Sequence, residues 1–257
     1  MGPLDAVRTA GRRYWKRALA LVVVVALVGA AGGAFYFSQG FHGSDASIEQ
    51  VRSNENVTVE QSNGGYALSP STNASTTALV FYPGARVEPD AYLSTFAPVV
   101  ERAGITVYVP DLPLNVGLLG VGTASEIQQA TPAVERWYVG GHSLGGVAAC
   151  RYAATNPDSV DGLVLFASYC DQDVSGQELA ALSLTGSDDT VLDRESYDDA
   201  RGRLPADARF HEIEGVNHSQ FGSYSGQRGD EPATVRYETA HDRIATAVVE
   251  WLGESSR

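Results

Sequence analysis

Four unbroken apolar runs constrain this chain more than anything else in it: ALVFY at 78–82, ITVYVP at 105–110, RWYVGG at 136–141 and GLVLFAS at 162–168. Runs of β-branched and aromatic residues without polar alternation read as strands buried on both faces. Between them, residues 88–102, 123–131 and 145–155 carry helical spacing, and LAALSLTG, RFHEIE and a helical 234–252 follow. Strands alternating with helices specify an α/β fold, a mostly parallel twisted sheet covered on both faces. With VTVEQ at 57–61 and YALSP at 66–70 forming an opening hairpin across SNGG, the sheet is expected to have about seven to eight strands. Sites in such sheets form beyond the carboxyl ends of the strands.

The stretch VGGHSLGGV at 139–147 ends one of these strands and opens a helix of small residues. Each glycine loses more backbone freedom on folding than other residues do, so four in nine positions imply a turn with no room for side chains. Gly141-His142-Ser143-Leu144-Gly145 fits G-x-S-x-G, in which a serine on a strained strand-to-helix turn serves as nucleophile.

From Thr77 to Trp251 the chain resembles the α/β-hydrolase fold superfamily, most closely its compact members with FYPGARVEPDAY after the third strand, GGHSLGG at the elbow and GVNHSQFGSY around a histidine. The resemblance implies a Ser-His-Asp site. A serine hydroxyl needs a base to take its proton and return it to the leaving group. Of the five histidines, His218 alone lies in a loop after the last expected strand, where the fold puts its base, while His241 falls in the C-terminal helix. The acid expected from the G-x-x-D pattern, counted from Gly186, is Asp189, with Asp188 beside it and Asp171 or Asp173 in a variant layout. The expected oxyanion donors are the N–H groups of Leu144 and Ala85, with Gly84 as second choice to Ala85. Gln220 and Phe221 are the candidate substrate-binding residues, and Tyr224 stands with them; aromatic core packing is the competing role. The segment Tyr169–Gln177 is too short for a cap domain. The resemblance implies a small-molecule acyl substrate and no cofactor or metal, and the few histidines and cysteines lack zinc-site spacing.

Ahead of this domain, Ala18 to Phe37 is a run of twenty residues without charge. At about 1.5 Å per residue it spans a hydrocarbon core of about 30 Å. Arg8, Arg12, Arg13, Lys16 and Arg17 precede it, so the positive-inside rule places the N-terminus in the cytoplasm. The expected organisation is a basic cytoplasmic tail at 1–17, a transmembrane signal-anchor at 18–37, a linker at 38–50 and the hydrolase domain at 51–257, outside the membrane. Cleavage as a signal peptide, giving a secreted protein, is the alternative.

The formal net charge is −13, and five basic residues against one acid before position 38 leave about −17 on the rest. That excludes a nucleic-acid partner held by counterion release. Lys16 is the only lysine, and an acidic, lysine-poor surface resembles proteins of salt-loving microbes. Cys150 and Cys170 are compatible with a disulfide or with two buried thiols. Three readings of function remain at this point: an esterase; a binding module that kept the fold without the chemistry; or a lipase, thioesterase, peptidase or acyltransferase using the same triad.

Overall fold

A computed structural model describes residues 19, 22–23, 25–29, 31–72 and 75–255. It divides into two units, residues 1–39 and 40–257. In the first, the described residues from 19 to 38 are helical, and Val22, Val25, Leu27 and Val28 are exposed. Among the described residues no helix is long and apolar enough to cross a membrane. The basic tail at 1–17, and residues 18, 20, 21, 24 and 30 of the expected anchor, lie outside the described residues.

The second unit opens on helix α1 (Asp45–Arg52) and the strands β1 (Val57–Ser62) and β2 (Gly65–Pro70). These two pair antiparallel from Val57 opposite Pro70 to Ser62 opposite Gly65. Asn63 and Gly64 between them both have positive φ, 49° and 75°, as the two-residue hairpin turn that suits strand twist requires. Then follow β3 (Thr77–Tyr82), α2 (Leu93–Ala103), β4 (Thr106–Val109), α3 (Thr123–Ala130), β5 (Arg136–His142), α4 (Leu144–Thr155), β6 (Gly162–Phe166), β7 (Ala180–Gly186), α5 (Arg194–Ala200), β8 (Arg209–Ile213) and α6 (Tyr237–Ser255). The sheet has eight strands in the order β1-β2-β4-β3-β5-β6-β7-β8. β2 also pairs antiparallel with β4, and every later pair is parallel.

Alternate residues of the central strands feed two cores, which is why their sequences show no polar alternation. Leu79, Phe81, Tyr138 and Val164 pack on one face with α2 and α6. Ala78, Val80, Val139, Leu163 and Leu165 pack on the other with α3 and α4.

The stretch expected as a linker has structure of its own over 40–50. Phe41 bridges to Val87 in parallel, donating its N–H to Arg86 O at 2.6 Å and accepting Glu88 N–H at 2.9 Å. Asp90 takes Gly43 N–H at 2.9 Å and meets the His42 ring at 2.8 Å. Small polar residues suggest a flexible tether when read alone; here they let backbone meet backbone.

Cys150 of α4 and Cys170, after β6, form a disulfide with Cα atoms 5.4 Å apart, closing a sequence separation of 20. Closing a loop of this length stabilises by about 3 kcal/mol in the chain-entropy model. Replacing both cysteines by serine is expected to lower the unfolding free energy in urea by roughly that amount, about 3 kcal/mol. Equal stability of the two proteins, or alkylation of either cysteine without prior reduction, contradicts the bond.

Candidate functional site

Ser143 lies between β5 and α4 at φ 52°, ψ −125°, a conformation that side-chain-bearing residues rarely hold. Its neighbours enforce it. The Ser143 N–H donates to Phe166 O at 2.9 Å, and its carbonyl accepts Gly146 N–H at 3.0 Å and the Ser168 hydroxyl at 2.6 Å. The flanking glycines let the turn close: a methyl at Gly141 would sit 2.3 Å from the Gly145 carbonyl carbon, and one at Gly145 would sit 2.1 Å from Tyr82 O. The hydroxyl of a half-buried serine thus stands at the carboxyl edge of the sheet, at the start of a helix.

His218 opens a short 3₁₀ turn, 218–221, in the loop after β8. Asn217 caps that turn, its side chain accepting Gln220 N–H while Gln220 accepts the Asn217 N–H. Asp230 holds the same backbone from outside, accepting His218 N–H at 3.1 Å and Ser219 N–H at 2.9 Å as well as the Ser219 hydroxyl. The ring is 1% exposed, and its Nδ1 lies 2.9 Å from Asp189 Oδ2. The other Asp189 oxygen accepts Val191 N–H at 2.8 Å and Leu192 N–H at 2.9 Å, so two amides aim the carboxylate at the imidazole. Burial pushes the Asp189 pKa up. The His218 hydrogen bond and charge and the two amides outweigh it, leaving the carboxyl below its ordinary 3.8. An ionised carboxylate only accepts, so Nδ1 is the donor in this bond, and the ring's remaining nitrogen is Nε2. That Nε2 is buried without a hydrogen-bond partner.

Asp188 is engaged elsewhere. Its carboxylate accepts Thr234 N–H at 2.9 Å, the Thr234 hydroxyl at 2.8 Å and the Ser187 hydroxyl at 3.0 Å, tying the loop after β7 to residues ahead of α6. Asp171 pairs with Arg151, and Asp173 accepts from Ser175.

The loop after β3 supplies backbone donors. Gly84 N–H is bound at 2.8 Å by the Tyr92 hydroxyl. Among the described residues neither Ala85 N–H nor Leu144 N–H has an acceptor, the second because the first amides of a helix lack intrahelical partners.

A model described as the alpha/beta hydrolase family matches residues 78–242. The chain belongs to the α/β-hydrolase family. A predicted CIB-like hydrolase from Thermoplasma acidophilum is similar in structure, with a TM-score of 0.57 at 16% identity, covering 77% of this chain and 98% of that one. Est1E from Butyrivibrio proteoclasticus gives 0.54 at 12% identity, covering 77% and 100%. At these identities both likenesses concern the fold. No match was found among curated proteins.

Within this hydrolase fold, the structure brings His218 and Asp189 together and sets the ring of His142, the residue before Ser143, with its centroid 4.5 Å from that of His218. No hydrogen bond joins the Ser143 hydroxyl to His218 Nε2. Gln220 and Phe221 are committed to packing. Gln220 is 2% exposed and donates to Val235 O at 2.8 Å, while the fully buried Phe221 ring packs against His142 and Phe166. Tyr224 is likewise buried, stacked on Phe41. Three residues that sequence reasoning passed over stand close to the site: Tyr92, Asp230 and Phe41. Each acts through contacts 8 or more residues away in the chain, and although Tyr92 ends the FYPGARVEPDAY stretch, no local pattern assigns a role to any of them.

A lowered Asp189 pKa has a defined sign. The group contributes stability above the unfolded value of about 3.9, and that contribution is lost as pH falls through the lower folded pKa. In urea unfolding, the gap between wild type and Asp189→Asn is therefore expected to be widest above pH of about 4 and to close below it. A gap that stays constant from neutral to acid pH contradicts the assignment.

Proposed function

We propose that this α/β hydrolase is a membrane-anchored serine hydrolase, facing outward, that cleaves a carboxylic ester or related acyl bond through an acyl-enzyme. The observation that carries the reading is the buried His218, bonded to Asp189 through Nδ1 with Nε2 unpartnered, beside the elbow that presents Ser143. Ser143 attacks the carbonyl carbon while His218 Nε2 takes its proton, and the C–O double bond opens to an oxyanion. Leu144 and Ala85 N–H groups are aimed at that charge; Gly84 is already bound to Tyr92. Asp189 stabilises the imidazolium and keeps the ring in one tautomer. The imidazolium returns the proton to the leaving alcohol, the acyl-enzyme forms, and a water activated by the same ring releases the acid.

The anchor reading rests on the charge-free run from Ala18 to Phe37 behind a basic cluster. Its described members, such as Val22 at 64% and Val28 at 66%, leave apolar surface uncovered that a bilayer would cover. The partners are then the bilayer and a small acyl substrate, and the domain works outside the cytoplasm, where a disulfide persists.

In molar salt, Ser143→Ala is expected to lower kcat for p-nitrophenyl acetate by about 10⁴-fold or more, with unfolding unchanged. Asp189→Asn is expected to cost about 10⁴-fold, whereas Asp188→Asn stays within about threefold of wild type. Ser143→Ala at wild-type rate excludes the mechanism, and Asp188→Asn as the larger loss reassigns the acid.

A further inference from the structure

We propose that Tyr92 and His142 are positioning residues for the oxyanion hole, linking the loop that carries Ala85 to the strand end that carries Ser143 through one buried chain of hydrogen bonds. The inference rests on the serine hydrolase reading above.

The chain has three members. Gly84 N–H donates to the Tyr92 hydroxyl at 2.8 Å, and the same hydroxyl lies 2.9 Å from His142 Nδ1. Both side chains are fully buried. Burial raises the Tyr92 pKa against the opposing effect of Gly84 N–H, so the phenol keeps its single proton. With Gly84 N–H already donating to the phenol oxygen, that proton is directed to His142 Nδ1; the ring's Nε2 is buried without a hydrogen-bond partner. Burial first, and the neighbouring His218 second, hold the His142 pKa far below the ordinary range against the pull of the His218 carbonyl, so the ring stays neutral. A neutral imidazole accepting at Nδ1 is the form the chain needs.

The ends of the chain carry the meaning. Gly84 immediately precedes Ala85, whose N–H is free for the oxyanion, and His142 immediately precedes Ser143, whose successor Leu144 supplies the other donor. The loop after β3 does not rest in a relaxed conformation: Arg86 has φ 62°, a region side-chain-bearing residues hold only when neighbours enforce it. Its outer ties are Arg86 N–H to Asn115 O at 2.9 Å and the Phe41 pairing. On the inside, Tyr92 alone among the described residues grips the Gly84 amide, and a methyl at Gly84 would lie only 2.9 Å from His142 Nδ1. The two donors of the hole thus come from positions 59 residues apart in the chain that share one brace, and an error of about 1 Å in such a placement is worth about 10²-fold in rate.

The test uses the full chain with Tyr92→Phe, His142→Leu and His142→Gln. Tyr92→Phe and His142→Leu are expected to lower kcat for p-nitrophenyl acetate by about 10- to 100-fold with KM within about threefold. The inhibition constant of phenylboronic acid, whose tetrahedral adduct places an oxygen in the hole, should rise by a similar factor of about 10 to 100. His142→Gln, whose side-chain oxygen accepts the Tyr92 proton, should recover most of the loss. Wild-type kcat in folded Tyr92→Phe, loss confined to KM, or equal losses in His142→Gln and His142→Leu overturns the proposal. Should Tyr92→Phe not fold, the glutamine-to-leucine comparison decides. Full activity of Ser143→Ala defeats the underlying reading; an inactive Ser143→Ala beside an unaffected Tyr92→Phe defeats this proposal alone.

Discussion

The rest of the site depends on a steric contact, the seating of the first turn of α4 against the end of β3. The carbonyl of Tyr82 lies where a side chain at position 145 would begin. Because nothing larger than hydrogen fits, helix and strand close to backbone distance, and three features meet at this contact. Ser143 is forced into a left-handed φ and projects from the sheet edge. The first amide of α4 is left without an internal acceptor. In the loop after β3, which passes the same glycine at Tyr82 and Pro83, Ala85 N–H also has no acceptor among the described residues. The close packing at Gly145 lets the turn form, and the strain at Ser143 is balanced by its bonds with Phe166, Gly146 and Ser168.

Electrostatics then divides the two adjacent imidazoles into different roles. His142 and His218 have ring centroids 4.5 Å apart and both are out of water, so two positive charges there would be strongly opposed. Only His218 has a carboxylate. Asp189 is fixed by two amides on one oxygen, which leaves the other placed against the His218 Nδ1. His142 meets instead a neutral phenol and stays neutral.

Much of this arrangement was legible in the sequence, for reasons that differ by element. The buried strands showed because helices on both faces remove the polar positions, and the hairpin showed through Asn63-Gly64, whose positive φ values few residues share. The elbow was legible because its steric demand is met within five consecutive residues. His218 and Asp189 could be chosen only through chain order and the resemblance, and the choice between Asp188 and Asp189 could not be made on local grounds, since both follow β7. The coordinates separate them by their partners, threonine and serine for one and imidazole for the other. Tyr92 was illegible because its contacts reach back 8 residues and forward 50, and nothing in AYLSTF tells a packed tyrosine from a bonded one. Gln220 and Phe221 misled as pocket residues for a related reason: proximity to a histidine in sequence says nothing of which side the chain turns to solvent, and a capping pair and a ring stack took both side chains inward.

The segment at 40–43 shows how far local composition can mislead about mechanics. Its backbone gives one N–H and takes another across to residues 86 and 88, and Asp90 holds Gly43 N–H and the His42 ring. The Phe41 ring lies between the Arg86 guanidinium, 4.9 Å from its centroid, and the Tyr224 ring, 5.5 Å away. Tyr224 in turn packs 6.2 Å from His142. Phe41 therefore touches the loop after β3 on one side and, through Tyr224, the His142 and His218 cluster on the other. A tether would leave these contacts to solvent. A segment that fills them makes the placement of Ala85 depend on residues forty-odd positions earlier, so the part of the chain just after the apolar run belongs mechanically to the carboxyl edge of the sheet.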